Sequence, residues 1–127
     1  MARILVIDDD LRIREIFRDA LADAGHEVVM ASNGRDGVQL YHREPVDLVI
    51  LDLFMPYQEG IASIRELRDA NPRLPIIAVS GGGQTGRAIG FLEMARRLGA
   101  QRAFEKPVDL ATLVQTVAEL LPPTRLS

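Results

Sequence analysis

At 127 residues the chain has the length of a single domain, and 47% apolar with 26% charged residues is the make-up of a globular protein with a real core. A net charge of -3 offers no bulk attraction to nucleic acid or to a membrane surface. With no cysteine there is neither a disulfide framework nor a thiolate metal site, which fits a cytoplasmic setting; no apolar run reaches transmembrane length, and the N-terminal one is too short for a signal peptide.

The first element is a short apolar strand, Arg3 to Ile7, that stops at three acids, Asp8, Asp9 and Asp10. Apolar residues then recur at Ile13, Ile16, Phe17, Ala20, Leu21 and Ala24, the spacing of one helix face, with Asp10 as N-cap and Gly25 as the stop. A second strand spans His26 to Ala31. A capped turn at Ser32, Asn33 and Gly34 opens a helix that turns Val38, Leu40 and Tyr41 inward and ends before Pro45. Leu48 to Leu51 is a continuous apolar run leading into Asp52, with Pro56 beyond it, and reads as a strand buried on both faces. The third helix carries Ile61, Ile64 and Leu67 and ends near Asn71 and Pro72. The fourth strand is Pro75 to Val79. A glycine-rich stretch, Ser80 to Gly86, leads into a helix over 87–98 that Gly99 ends. Arg102 to Glu105 is the fifth strand, closed by Lys106 and Pro107. The last helix, capped by Asp109, sets Leu110, Leu113, Val114, Val117 and Leu121 on one side.

Strict strand–helix alternation predicts an α/β fold with a parallel sheet covered on both faces. Five units cannot close an eight-stranded barrel. The expected architecture is a flavodoxin-like, doubly wound, five-stranded sheet of order 2-1-3-4-5 with five helices. In that order the first and third strands are neighbours, so Asp8 and Asp9 stand beside Asp52, and Ser80 and Lys106 reach the same edge.

Taken singly, each residue has an ordinary explanation. Acids gather at helix starts, Ser80 could cap a turn, and Lys106 could be a solvated loop lysine. His26 and His42 lack metal-ligand spacing. The ordinary explanations lose force because these positions occupy equivalent ends of successive strands. Three neighbouring carboxylates repel one another unless a cation is present, and one lysine does not balance them. Hard oxygen donors on one rim suit Mg2+, or Mn2+, together with phosphate oxygens. A carboxylate can itself accept a phosphoryl group as an acyl phosphate.

The acidic pair Asp8 and Asp9, the Asp52-to-Pro56 segment with Gly60, Ser80 with Gly81, and Lys106 with Pro107 resemble the receiver domains of two-component response regulators. The resemblance spans residues 2 to 121, leaving 122–127 as a tail. It implies that Asp52 is phosphorylated by a histidine kinase or histidine phosphotransfer protein. It further implies that Asp9, Asp52 and the Phe54 carbonyl ligate Mg2+, with Asp8 acting mainly through water. Lys106 would pair with the phosphoryl oxygens, the Gly81 backbone would contact them, and the Ser80 hydroxyl would report them. A cis Lys106–Pro107 bond is implied as well. So is a kinase-docking surface near Ile13 and Phe17. An output face on the fourth helix, fifth strand and fifth helix would contact a downstream protein and serve any homodimer. With no output domain after the fifth helix, the chain reads as a stand-alone receiver, a switch rather than an enzyme.

Two departures stand out. Similar proteins often carry an aromatic three residues before the lysine; here that residue is Ala103, and Phe104 belongs to the opposite strand face. The interval from Ser80 to Lys106 is also long, with the surplus in Gly81 to Gly90, where glycine-rich backbone is costly to order. Ordering of that loop and the fourth helix is therefore the expected relay. Two other functions compete. Gly81, Gly83 and Gly86 match a dinucleotide-binding loop with Glu105 downstream, as in a nicotinamide-dependent oxidoreductase, but they follow the fourth strand and leave the acids unexplained. A receiver-like module that binds partners without phosphorylation is the other.

Overall fold

The computed structural model describes residues 2–53, 59–81 and 87–122. Ten elements alternate: β1 (Arg3–Ile7), α1 (Leu11–Asp23), β2 (Glu27–Ala31), α2 (Gly34–Arg43), β3 (Leu48–Asp52), α3 (Glu59–Ala70), β4 (Ile76–Ser80), α4 (Arg87–Arg97), β5 (Arg102–Glu105) and α5 (Leu110–Leu120). The strands form one parallel sheet in the order β2-β1-β3-β4-β5, as the alternation predicts. None of the described helices is long and apolar enough to cross a membrane.

Local chemistry sets the helix ends. The Asp10 carboxylate accepts from the Arg12 amide, Asn33 Oδ1 from the Asp36 amide, and Asp109 from both the amide and the hydroxyl of Thr112. α1 and α4 close alike. Gly25 and Gly99 take φ of +94° and +110°, and the amides of His26 and Ala100 reach back to the carbonyls of Leu21 and Ala95. This is the left-handed termination that glycine adopts without strain.

Strand alternation divides the core in two. Leu5, Ile7, Val49, Leu51, Ile76 and Ala78 face α2, α3 and α4, meeting Val38, Tyr41, Ile64, Leu67 and Ala95. Ile4, Val6, Leu48, Ile50, Ile77 and Val79 face α1 and α5, meeting Phe17, Leu21, Leu113 and Val117. β3 and β4 are buried at every position. Ala103 packs with the first cluster and Phe104 with the second. The aromatic therefore lies across the sheet from α4, as the alternation requires.

The structure corrects the reading of α1. Phe17 is only 4% exposed and belongs to the core, so it cannot serve as a docking contact; Ile13 is half-buried. Ile16, expected inside, is 45% exposed, and Ala24 is exposed too. The reason is angular: at 100° per residue Ile16 falls on the flank of the stripe centred on Ile13, Phe17 and Ala20. Ala24 is the C-cap, beyond the last helical residue. With Leu11, Ile16 forms the exposed apolar surface of this helix.

Candidate phosphoacceptor and metal site

Register builds the site. β1 and β3 pair Ile7 with Leu51, so the next residues, Asp8 and Asp52, stand side by side at the C-terminal edge of the sheet. β4 and β5 pair Ser80 with Glu105, and the Lys106 amide then donates to the Ser80 carbonyl at 2.7 Å. The peptide bond from Lys106 to Pro107 is cis, as the resemblance implied. α3 starts hard against this edge. A Cβ on Gly60 would sit 2.7 Å from the Asp52 carbonyl oxygen and 2.8 Å from Leu53 Cα, backbone atoms that have no rotamer to yield.

Asp8 and Asp52 are 2% and 3% exposed, while Asp9 is open to solvent. Lys106 Nζ donates to Asp8 Oδ2 at 2.8 Å and more weakly to Asp52 Oδ2 at 3.4 Å. The Asp10 amide donates to the other oxygen of Asp8 at 2.9 Å, and Arg14 Nη1 donates to the Asp8 carbonyl at 2.6 Å. Burial is the largest single influence on the Lys106 ammonium and pushes its pKa down. The hydrogen bond to Asp8 and the charges of Asp52 and Asp8 outweigh it together, and the net shift is upward. The lysine is held as a cation against two buried carboxylates. Gly81 makes room for its stem: a Cβ there would meet Lys106 Cδ at 3.1 Å.

One carboxylate oxygen from each of Asp8, Asp9 and Asp52 lies within 4.8 Å of the others. Oxygen donors so spaced fit a hard divalent cation, in line with the sequence expectation. Ser80 is at the same edge and fully buried, but its Oγ has no hydrogen-bond partner among the described residues. In the strand alternation Ser80 follows Ile76 and Ala78 on the α4 side, whereas Asp52 follows Leu48 and Ile50 on the other. Of the residues singled out in the sequence, the structure joins Asp8, Asp9, Asp52 and Lys106, with Ser80 beside them but outside their polar network. Phe54, Gly83 and Gly86 lie outside the described residues, as do all of 82–86 within the Gly81–Gly90 stretch. Arg14 was not foreseen. Its signal is a helical side chain one turn in, leaning back toward the helix start.

Comparison with known proteins agrees with this geometry. The profile of the response regulator receiver domain matches residues 4–118. Protein PilH of Pseudomonas aeruginosa is 37% identical over 124 residues, covering 95% of this chain and 98% of its own length. The chemotaxis protein CheY of Thermotoga maritima is 33% identical over 116 residues, covering 91% and 93%. Response regulator MprA of Mycolicibacterium vanbaalenii is 33% identical over 119 residues; the chain spans 94% of itself but only 50% of that longer protein. Among solved structures, the receiver domain of NtrX from Brucella abortus superposes with a TM-score of 0.85 at 30% identity, covering 93% of this chain and 97% of that one. None of this favours a dinucleotide-binding oxidoreductase or a non-phosphorylated binding module. The acidic edge, its lysine, the five-stranded order and these relatives converge: the chain belongs to the response regulator receiver domain family of two-component signalling.

Proposed function

We propose that Asp52 accepts a phosphoryl group from the phosphohistidine of a histidine kinase or histidine phosphotransfer protein, in a reaction that requires Mg2+ or Mn2+. The observation that carries this reading is a buried Asp52 bridged to Asp8 by Lys106, with Asp9 completing a set of oxygens at cation-binding distance. An Asp52 carboxylate oxygen attacks phosphorus. The phosphorus–nitrogen bond breaks, its electron pair stays on the imidazole, and the product is an acyl phosphate. The divalent cation, when bound, neutralises the charge shared by the carboxylates and the incoming phosphoryl group.

Asp9, Asp52 and the Phe54 carbonyl are the assigned ligands. Asp8 has one oxygen taken by the Asp10 amide and the other by Lys106, which supports a role through water. Lys106 pairs with the phosphoryl oxygens, and the Gly81 backbone contacts them. The buried Ser80 hydroxyl has no hydrogen-bond partner among the described residues, which supports a phosphoryl oxygen as its acceptor. Through these groups the protein assists its own phosphorylation and dephosphorylation. The phosphoacceptor unit is residues 1–121. It works in the cytoplasm and signals by protein contact through α4, β5 and α5, the face that would also carry a homodimer.

The test is a small phosphodonor. Acetyl phosphate with Mg2+ is expected to give one acid-stable, base-labile adduct by intact mass, and chelation of the metal is expected to prevent it. Labelling that persists without a divalent cation would overturn the assignment.

The relay follows from the alanine at position 103. Ala78, Ala95 and Ala103 pack between β4, β5 and α4, and among the described residues there no aromatic side chain is placed to follow Ser80. Ordering of α4 carries the signal instead. Amide exchange across Arg87–Arg97 is expected to slow on addition of a phosphoryl mimic such as beryllofluoride. Unchanged exchange there would sink this relay and leave the phosphoacceptor assignment standing.

A further inference from the structure

We infer that Arg14 is a positioning residue for the acidic pocket, holding the turn between β1 and α1 that presents Asp8 and Asp9. The inference rests on the metal-site reading above for its consequence, but not for its geometry. β1 ends at Ile7, so the Asp8 carbonyl lies past the last residue of the strand ladder. Arg14 Nη1 supplies a donor at 2.6 Å, short even for a charged one. The side chain can do this because helical side chains lean toward the N-terminus, and Arg14 sits one turn into α1, its own amide bonded to the Asp10 carbonyl at 3.1 Å.

The turn is thereby held at both ends. The Asp8 amide donates to the Ala31 carbonyl at 3.2 Å, the Asp8 carbonyl takes Arg14, and the Asp8 carboxylate takes the Asp10 amide and Lys106. Asp10 is fixed in turn by capping α1. Exposed Asp9 sits between two pinned residues, so its position is inherited from them. Beyond the Asp8 carbonyl, Arg14 lines an open groove of ≈ 560 Å³ between α1 and α2, with Met30, Leu40 and Arg43. It is not part of the apolar core, so changing it need not disturb the fold.

Two roles for this guanidinium predict opposite results. If it only lends positive charge, removing it makes the pocket more negative and tightens cation binding, while lysine substitutes freely. If it positions the turn, both Arg14→Gln and Arg14→Lys loosen binding, because both side chains end short of the point where Nη1 meets the Asp8 carbonyl. The experiment is Mn2+ titration of the full chain by electron paramagnetic resonance, paired with amide exchange at Asp9 and Asp10 in metal-free protein. Positioning predicts Mn2+ affinity about tenfold weaker in both variants and faster exchange at Asp10, with unchanged helical circular dichroism. Tighter binding by Arg14→Gln, or wild-type behaviour of both variants, would overturn it. If the wild-type protein itself binds no Mn2+, the metal-site reading fails, and Asp10 exchange in the two variants still decides whether Arg14 holds the turn.

Discussion

Replacing Asp52 by Asn is expected to abolish labelling by acetyl phosphate, a loss of more than about a hundredfold, while the protein stays folded. The carboxamide has the shape of the carboxylate but lacks its charge and nucleophilic oxygen, and it is a poorer ligand for a hard cation. The fold survives because the substitution is nearly isosteric and Lys106 keeps its shorter bond, 2.8 Å to Asp8. Intact-mass labelling with a thermal melt on the same samples separates the two effects. An adduct of equal yield on the Asp52→Asn protein would move the acceptor to another residue, Asp8 or Asp9 being the nearest candidates.

Lys106→Met is expected to change stability as well as chemistry. Methionine keeps an unbranched stem in the space beside Gly81 and removes only the charge. Asp8 and Asp52, both nearly fully buried, then face each other without the ammonium that bridges them. Breaking a buried ion pair costs about 3–5 kcal/mol. The lysine side chain is 20% exposed and the pocket opens to water at Asp9, so a loss of about 2–3 kcal/mol is expected without divalent cation. Mg2+ should restore much of it, because a ligand that binds only the folded state stabilises by mass action. Phosphodonor labelling should also slow, by about tenfold or more, for want of a counter-charge on the phosphoryl oxygens.

The pH dependence has a definite sign. The Lys106 pKa is raised above its ordinary 10.5 in the folded state. Its contribution to stability is therefore complete below that value and is lost as pH climbs through the folded value. The gap between wild type and Lys106→Met should be flat through neutral pH and close in the alkaline range. Denaturant titrations in metal-free buffer across that range measure it. A gap that closes on the acid side alone would mean that some other group carries the effect.

Much of this was legible in the residue order. Apolar runs cut off by acids or prolines mark the strands: β1, β3 and β5 run to Ile7, Asp52 and Glu105. The capping residues Asp10, Asn33 and Asp109 and the terminating Gly25 and Gly99 do in space what their chemistry suggests. These features are local, each depending on neighbours within about one turn of chain. Strand order followed from alternation and the right-handed crossover rule, and with it the meeting of Asp8, Asp9, Asp52, Ser80 and Lys106 at one edge.

Other features depended on how far side chains reach and what they meet, which no short window of sequence encodes. Phe17 and Ile16 are adjacent and both apolar; the line along which α1 came to rest on the core buried Phe17 and left Ile16 on the flank. The sequence supplied a lysine near three acids, but only the packed edge decided that it binds Asp8 more closely than Asp52. It supplied Ser80 at the right strand end, but only the packed edge decided that the hydroxyl is fully buried and has no partner among the described residues. Arg14 looked like one helix cation among several until α1 came to rest with its guanidinium on the Asp8 carbonyl. The elements, their order and the chemistry gathered at the sheet edge were thus written along the chain, because they rest on local spacing and a simple winding rule. The pairing inside that edge was decided by tertiary structure, because it turns on differences of a few tenths of an ångström between groups far apart in sequence.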